Sequence, residues 1–230
     1  MTFFNPADPI VRSKQEALDY QDRQGLLRIH IELGDRTLIS AFYTRIDQVF
    51  ILWGLISAII FISAQFVPIS WVIQAGFWTA LTLVGTIGMV FLTHFWVKVE
   101  RLQWVLYCWI GLMLGGVLLT DLSIFLGWGE ILMRLCPLWL GLSALGYFCT
   151  GFGMRSRAFV LAGIVHLFGI VALPYVGTLQ FLTTGIMMAL SLLVFAELQW
   201  DMRPPIEYSL LSLEQKQFNK EQYQLRQLSL

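Results

Sequence analysis

The sequence predicts an all-α integral membrane protein with six transmembrane helices and both termini on the cytoplasmic side. Of its 230 residues, 57% are hydrophobic and only 13% charged, about half the charged share of an ordinary soluble domain. Those charges are also segregated, because 21 of the 30 lie before Val49 or after Trp200 and nine fall between. The apolar middle then breaks, at polar or Pro/Gly clusters, into stretches of about 20 residues, the length that crosses the hydrocarbon core. Residues 1–47 read as a cytoplasmic N-terminal segment, 48–200 as the six-helix domain and 201–230 as a cytoplasmic tail. A formal net charge of zero with no basic run argues against nucleic-acid binding.

Within the N-terminal segment, LLRIHIEL alternates apolar and polar residues, Gly34-Asp35 supplies a turn and RTLISAF follows, the pattern of a short β-hairpin. TLISAFYTRIDQVF reads equally well as an amphipathic lead-in to the first span. The acids and bases of residues 1 to 47 do not resemble a cleavable signal peptide. The spans run from about Val49 to Phe66, Trp71 to Val97, Trp104 to Phe125, Ile131 to GFGMRSR, Ala158 to Pro174, and Gly177 to Trp200. Loops of a few residues make neighbouring helices antiparallel. After Arg203-Pro204-Pro205, a stretch rich in Gln, Glu, Lys and Leu reads as either a short amphipathic helix or a disordered tail, and in both cases as a docking segment for a partner.

Basic residues near span ends set the orientation. Arg36, Arg45, Lys98, Arg101, Arg155, Arg157 and Arg203 fall on one side, while the other side holds only Arg134, with Glu130 four residues earlier and Asp121 nearby to form a neutralising outer charge cluster. Trp71, Trp96, Trp128 and Trp200 sit where interfacial anchors belong. Glycines inside the spans, with Gly111 and Gly115 in a literal GxxxG, suggest close packing within the bundle.

Few residues carry chemistry. His166, in AGIVHLFG, is an imidazole near the bilayer midplane, and lipid offers it no partner. Three roles fit it. It can form a helix-packing polar pair with Ser143. It can act as the base of an intramembrane nucleophile at Ser143, where GLSA resembles the GxSG motif of rhomboid proteases in three positions but ends on Ala144. It can be the axial ligand of a haem or chlorin, since Gly163 and Gly169 clear the helix face on either side of the ring. The packing role is favoured. A transport path is the third constellation: LWGLISAIIF echoes LWLGLSALGYF, but the spans hold no carboxylate or lysine except Asp121 and Glu197 near their ends. Cys108, Cys136 and Cys149 have no paired spacing and read as small core residues, and no metal site is expected.

SAFYTRIDQVFILWG and AELQWDMRPP resemble stretches of cyanobacterial multi-pass membrane proteins. That resemblance implies a thylakoid or plasma membrane and a tie to photosynthetic complexes, and it carries over no catalytic residue. The function expected from the sequence is therefore a non-enzymatic interaction, assembly or accessory protein of the lipid bilayer that meets protein partners through its cytoplasmic tails. The alternative is a small transporter or a lipophilic-ligand (pigment or haem) carrier, and an intramembrane enzyme ranks third.

Overall fold

Thr44 sets the start of the first long helix. Its Oγ1 accepts from the Asp47 amide at 3.3 Å, and the Asp47 carboxylate accepts from the Thr44 amide at 2.8 Å, a reciprocal cap that satisfies two of the amides a helix leaves bare. The helix therefore begins at Arg45, four residues before the apolar run. This computed structural model describes residues 3–5, 8–33, 36–204, 206 and 208–228.

In chain order, the elements before the bundle are β1 (Val11–Ser13), α1 (Tyr20–Arg23), β2 (Leu27–Leu33) and β3 (Arg36–Tyr43). The long helices follow: α2 (Arg45–Phe66), α3 (Trp71–Val99), α4 (Gln103–Phe125), the single turn α5 (Gly129–Leu132), α6 (Leu135–Met154), α7 (Arg157–Ala172) and, after a 3-10 segment at Leu173–Leu179, α8 (Gln180–Glu197). β4 (Leu198–Trp200) and α9 (Leu213–Leu228) complete the chain.

Five helical stretches are long and apolar enough to cross a membrane: α2, α3, α4, α6 and the 41-residue Arg157–Glu197. The last of these contains α7 and α8, and it doubles back at Gly177, whose φ of 59° and ψ of −122° favour a residue without Cβ. The amide of Arg157, at the start of α7, donates to Asp201 just past α8, so the two helices begin and end at the same end of the bundle.

The hairpin reading of the N-terminal segment holds: β2 and β3 pair antiparallel from Leu27 opposite Tyr43 to Leu33 opposite Arg36, while the Gly34-Asp35 turn lies outside the described residues. Several boundaries differ from expectation. The last span ends at Glu197 rather than Trp200, because Leu198–Trp200 pairs with Val11–Ser13 as a second two-stranded sheet. The fourth starts at Leu135 rather than near Ile131, with Pro137 in its first turn, where a missing amide is tolerated.

The two terminal segments are one structure, not two separate tails. α9 lies against α1: Asn219, 1% exposed, accepts from the Tyr20 amide and donates to Gln21. Arg226 pairs with Asp19 at 2.8 Å. Lys14 pairs with Asp47 at 2.8 Å, and Arg203 bonds the carbonyl of Gly153 at 2.8 Å and that of Glu100. Asp201 receives Ser156 Oγ, the amides of Arg157 and Ala158 and the Arg157 side chain. It thereby supplies from the far end of the domain the N-terminal cap that α7 lacks locally. Both termini and the ends of α2, α3, α6, α7 and α8 thus meet in a polar cap at one end of the bundle.

Tight glycine contacts hold the helices together, though not all at the expected glycines. A Cβ at Gly85 would meet Ile56 at 2.7 Å, and one at Gly146 would meet the Trp109 ring at 2.5 Å. Gly111 and Gly115, the literal GxxxG, have nothing within 4 Å: they lie on an open face of α4, and the close contact is made by the next residue, Gly116, against Trp139 and Leu142. The tryptophans divide as well. Trp71 and Trp128 are exposed as interfacial anchors should be, whereas Trp96 is 8% exposed and donates to Asp22 at 2.8 Å. Trp200 is held in a strand and packs edge-on to Phe50 and Phe159. Each faces the cap, where tertiary partners outcompete the headgroup region.

Candidate functional site

Two cavities of similar size lie along the bundle. The cap holds one of about 130 Å³, bordered by Lys14, Asp19, Asp22, Asp47, Glu100, Asp201, Arg203 and Arg226. Its charges are mostly matched, as the ion pairs above show. Asp22 stands apart: among the described residues its carboxyl accepts a side-chain hydrogen bond only from the Trp96 indole, and it is pushed up to about 7 by burial and by the neighbouring Asp19 carboxylate. Burial also raises Asp19, Glu100 and Tyr208.

The second cavity, about 120 Å³, lies among the helices beneath the cap. Its lining is apolar and aromatic, with Met89, Met113, Trp109, Tyr147, Phe159 and Met188, and it carries the polar groups of Ser57, Ser143, Thr150 and His166. Ile46, Trp96 and Trp200 border both this cavity and the one in the cap. On the other side Trp53, Ser57, Met113 and Met188 separate it from a smaller space of about 40 Å³ that reaches Asp121.

His166 is the chemical centre of this site. It is fully buried and faces the bundle interior, as a midplane imidazole must. Its Nδ1 lies 2.8 Å from the carbonyl oxygen of Ala162, one turn earlier. A carbonyl can only accept, so the proton is on Nδ1 and, in the neutral ring, Nε2 presents a lone pair. That Nε2 is buried without a partner among the described residues, as is Trp53 Nε1. Tyr147 covers the imidazole with its ring centroid 4.9 Å away.

The expected Ser143–His166 pair is therefore brought together but not bonded. Both residues line the cavity, yet the imidazole takes its own i−4 carbonyl, which the helix holds in reach at no cost in ordering a second chain segment, and Nε2 stays unpartnered. A Ser–His nucleophile is activated through a hydrogen bond between the two; none joins Ser143 and His166 among the described residues.

A haem or chlorin does not fit here. The faces that Gly163 and Gly169 leave free are filled: a Cβ at Gly163 would meet the Phe148 ring at 2.8 Å, and one at Gly169 would meet Met187 at 2.4 Å. The glycines admit neighbouring side chains rather than a macrocycle. A cavity of about 120 Å³ compares with the ~150 Å³ that suffices for benzene, far short of a tetrapyrrole. The tautomer of His166 suits a ligand role, but the space beside it does not suit that ligand.

The outer charge cluster also fails to form. Asp121 accepts from Thr79 Oγ1 at 2.8 Å, tying α4 to α3. Glu130 is on α5, which ends at Leu132, and no ion pair joins it to Arg134 among the described residues. Both are solvent-exposed, where an ion pair is worth little against side-chain entropy.

Sequence reasoning missed Trp53 and Ser57 as members of this site. The signal was present: the echo of LWGLISAIIF in LWLGLSALGYF sets Trp53 and Ser57 against Trp139 and Ser143, and both serines line the cavity. Asp22 and Asp201 carried no local signal, since their partners are distant in the chain. Among the described residues no cluster of His, Cys, Asp or Glu is arranged to hold a metal.

These features define a helical membrane protein with an apolar internal site and a charged cap at one end. Compared with protein-family models, curated proteins and solved structures, the chain matches none.

Proposed function

We propose that this is a non-enzymatic, six-crossing integral membrane protein whose bundle binds a small lipophilic molecule, with both termini cytoplasmic. The observation that carries the binding reading is the fully buried His166, which lines an apolar cavity and whose Nε2 has no partner among the described residues. An unmatched buried polar atom costs about 1–3 kcal/mol, so a ligand that satisfies it gains that energy on entry. The reversal at Gly177 within Arg157–Glu197 supports reading that stretch as two crossings, which gives six in all. The cytoplasmic assignment rests on the basic residues at the cap end against the lone Arg134 opposite.

The test is extraction of the purified protein. Wild type in lipid nanodiscs should release a compound in stoichiometric amount, and Ser143→Leu, which fills the cavity, should lack it. Identical extracts from both would refute the reading. A second reading, docking of a protein partner, is favoured by the assembled cap. That partner would meet the joint surface of both terminal segments, because α9 is already occupied by α1 and is not a free tail.

A further inference from the structure

Nδ1 of His166 settles what kind of head the ligand carries. We infer that the site takes a hydroxylated aromatic ring, a phenol, with its O–H donating to His166 Nε2. This rests on the binding reading above and sharpens it.

The buried ring has no carboxylate against it among the described residues, and an isolated charge at that depth is costly, so the imidazole is neutral. With its proton committed to the Ala162 carbonyl, Nε2 is an acceptor, and a ligand with acceptors alone (a ketone, an ether or a quinone) leaves it unmatched. The ligand must bring a donor. Trp53 also lines the cavity, and its Nε1–H, which has no partner among the described residues, is a donor in need of an acceptor, since an indole nitrogen has no other role. A hydroxyl is the smallest group that serves as donor and acceptor together. A charged donor such as an ammonium is excluded by the apolar lining, where no carboxylate answers it.

The remaining space dictates the rest of the ligand. About 120 Å³ accepts a single six-membered ring by comparison with the ~150 Å³ that holds benzene. The walls are Tyr147, Trp109, Phe159 and methionines, surfaces that favour ring faces and edges. An aliphatic alcohol would satisfy Nε2 but leave those ring contacts unused.

The experiment is equilibrium dialysis of phenol, anisole and benzene into nanodiscs carrying the full chain, against matched protein-free nanodiscs. Phenol should bind saturably and at least tenfold more tightly than anisole or benzene. In ¹⁵N-histidine-labelled protein it should shift the Nε2 resonance of His166. His166→Leu should reduce phenol to the level of benzene. Trp53→Phe, which keeps an aromatic ring and removes only the N–H, should weaken phenol and spare benzene. The same chemistry can reach the site as a free phenol or as the head of a tailed membrane lipid: preference for phenol over 4-heptylphenol identifies the former, and the reverse order the latter. If anisole or benzene binds as tightly as phenol, the hydroxyl assignment fails while the binding reading stands. If no probe saturates in wild type, both fail.

Discussion

Asp22 is a carboxylic acid outside the membrane whose chemistry departs far from its ordinary behaviour. Its carboxyl titrates at about 7 instead of 3.8, because burial disfavours the anion, Asp19 repels it, and the Trp96 N–H and the more distant Arg226 only partly offset this. A folded-state value raised above the unfolded one means that the native state holds the extra proton. The contribution to stability is complete below about pH 3.8, is lost as pH rises towards 7, and is flat above. Asp22→Asn keeps an oxygen to accept from Trp96 and removes the titration. Thermal unfolding followed between pH 4 and 8 should show the variant gaining on wild type across pH 4–7 and holding a constant lead beyond. A gap independent of pH would place the shift elsewhere, Asp19 and Glu100 being raised in the same direction.

His166 belongs to the same scale. A midplane side-chain hydrogen bond contributes only about 0.6–2 kcal/mol, and its one protein bond is to its own helix. His166→Leu should therefore leave the melting temperature in nanodiscs within a few degrees of wild type. A collapse of the fold would mean that the imidazole is structural and not kept for a ligand.

Helices in this protein are held by contacts of very different value, and the glycines display the range. Gly146 sits against the Trp109 ring, whose Nε1 in turn donates to Thr150 at 2.9 Å. Gly146→Leu must displace that ring and its bond, and overpacking of this kind costs about 1–3 kcal/mol or more. Gly111, in open space on α4, should accept leucine with a change within about 0.5 kcal/mol. Chemical denaturation of the pair in one detergent checks the contrast; equal losses would contradict the packing described. Asp201 makes the complementary point for helix ends. It is 4% exposed and closes the N-terminus of α7 with four hydrogen bonds. Asp201→Ala should cost about 3–5 kcal/mol, since Arg157 also loses its buried partner, whereas a surface acid such as Glu214 should be replaceable without measurable effect.

For the whole molecule, the cap ties the chain's two ends to each other and to the bundle. Removing residues 206–230 takes away Asn219 and Arg226, which hold Tyr20, Gln21 and Asp19. Proteolysis should then cleave the N-terminal segment faster while the bundle stays inserted; unchanged cleavage would mean that the two segments are independent. Orientation is tested with cysteines at exposed positions. Ser13→Cys and Ser212→Cys should react with an impermeant maleimide from the cytoplasmic side, and Ser70→Cys, between α2 and α3, from the other. Labelling of Ser70→Cys together with Ser13→Cys from one side would overturn the topology.

Composition and hydrophobic run length were enough to announce a helical membrane protein, because lipid permits spanning backbone only when its polar groups are satisfied within the segment. Local chemistry also predicted the β2–β3 strands and the break at Gly177, as strand alternation and turn residues act over a few positions. The cap was illegible: Asp201 with Ser156, Lys14 with Asp47 and Asn219 with Gln21 are separated by tens to nearly 200 residues, and no short-range pattern announces such partners. The site was half legible. His166 and Ser143 stood out as polar residues in apolar runs, but which carbonyl takes Nδ1, which side chains fill the space beside Gly163 and Gly169, and that Trp53 joins from another helix were decided by packing. Sequence by itself determined that this chain lives in a membrane, since the solvent acts on every residue in turn. Only the tertiary structure decided what its histidine can hold, because that depends on which atoms from six helices arrive at one place.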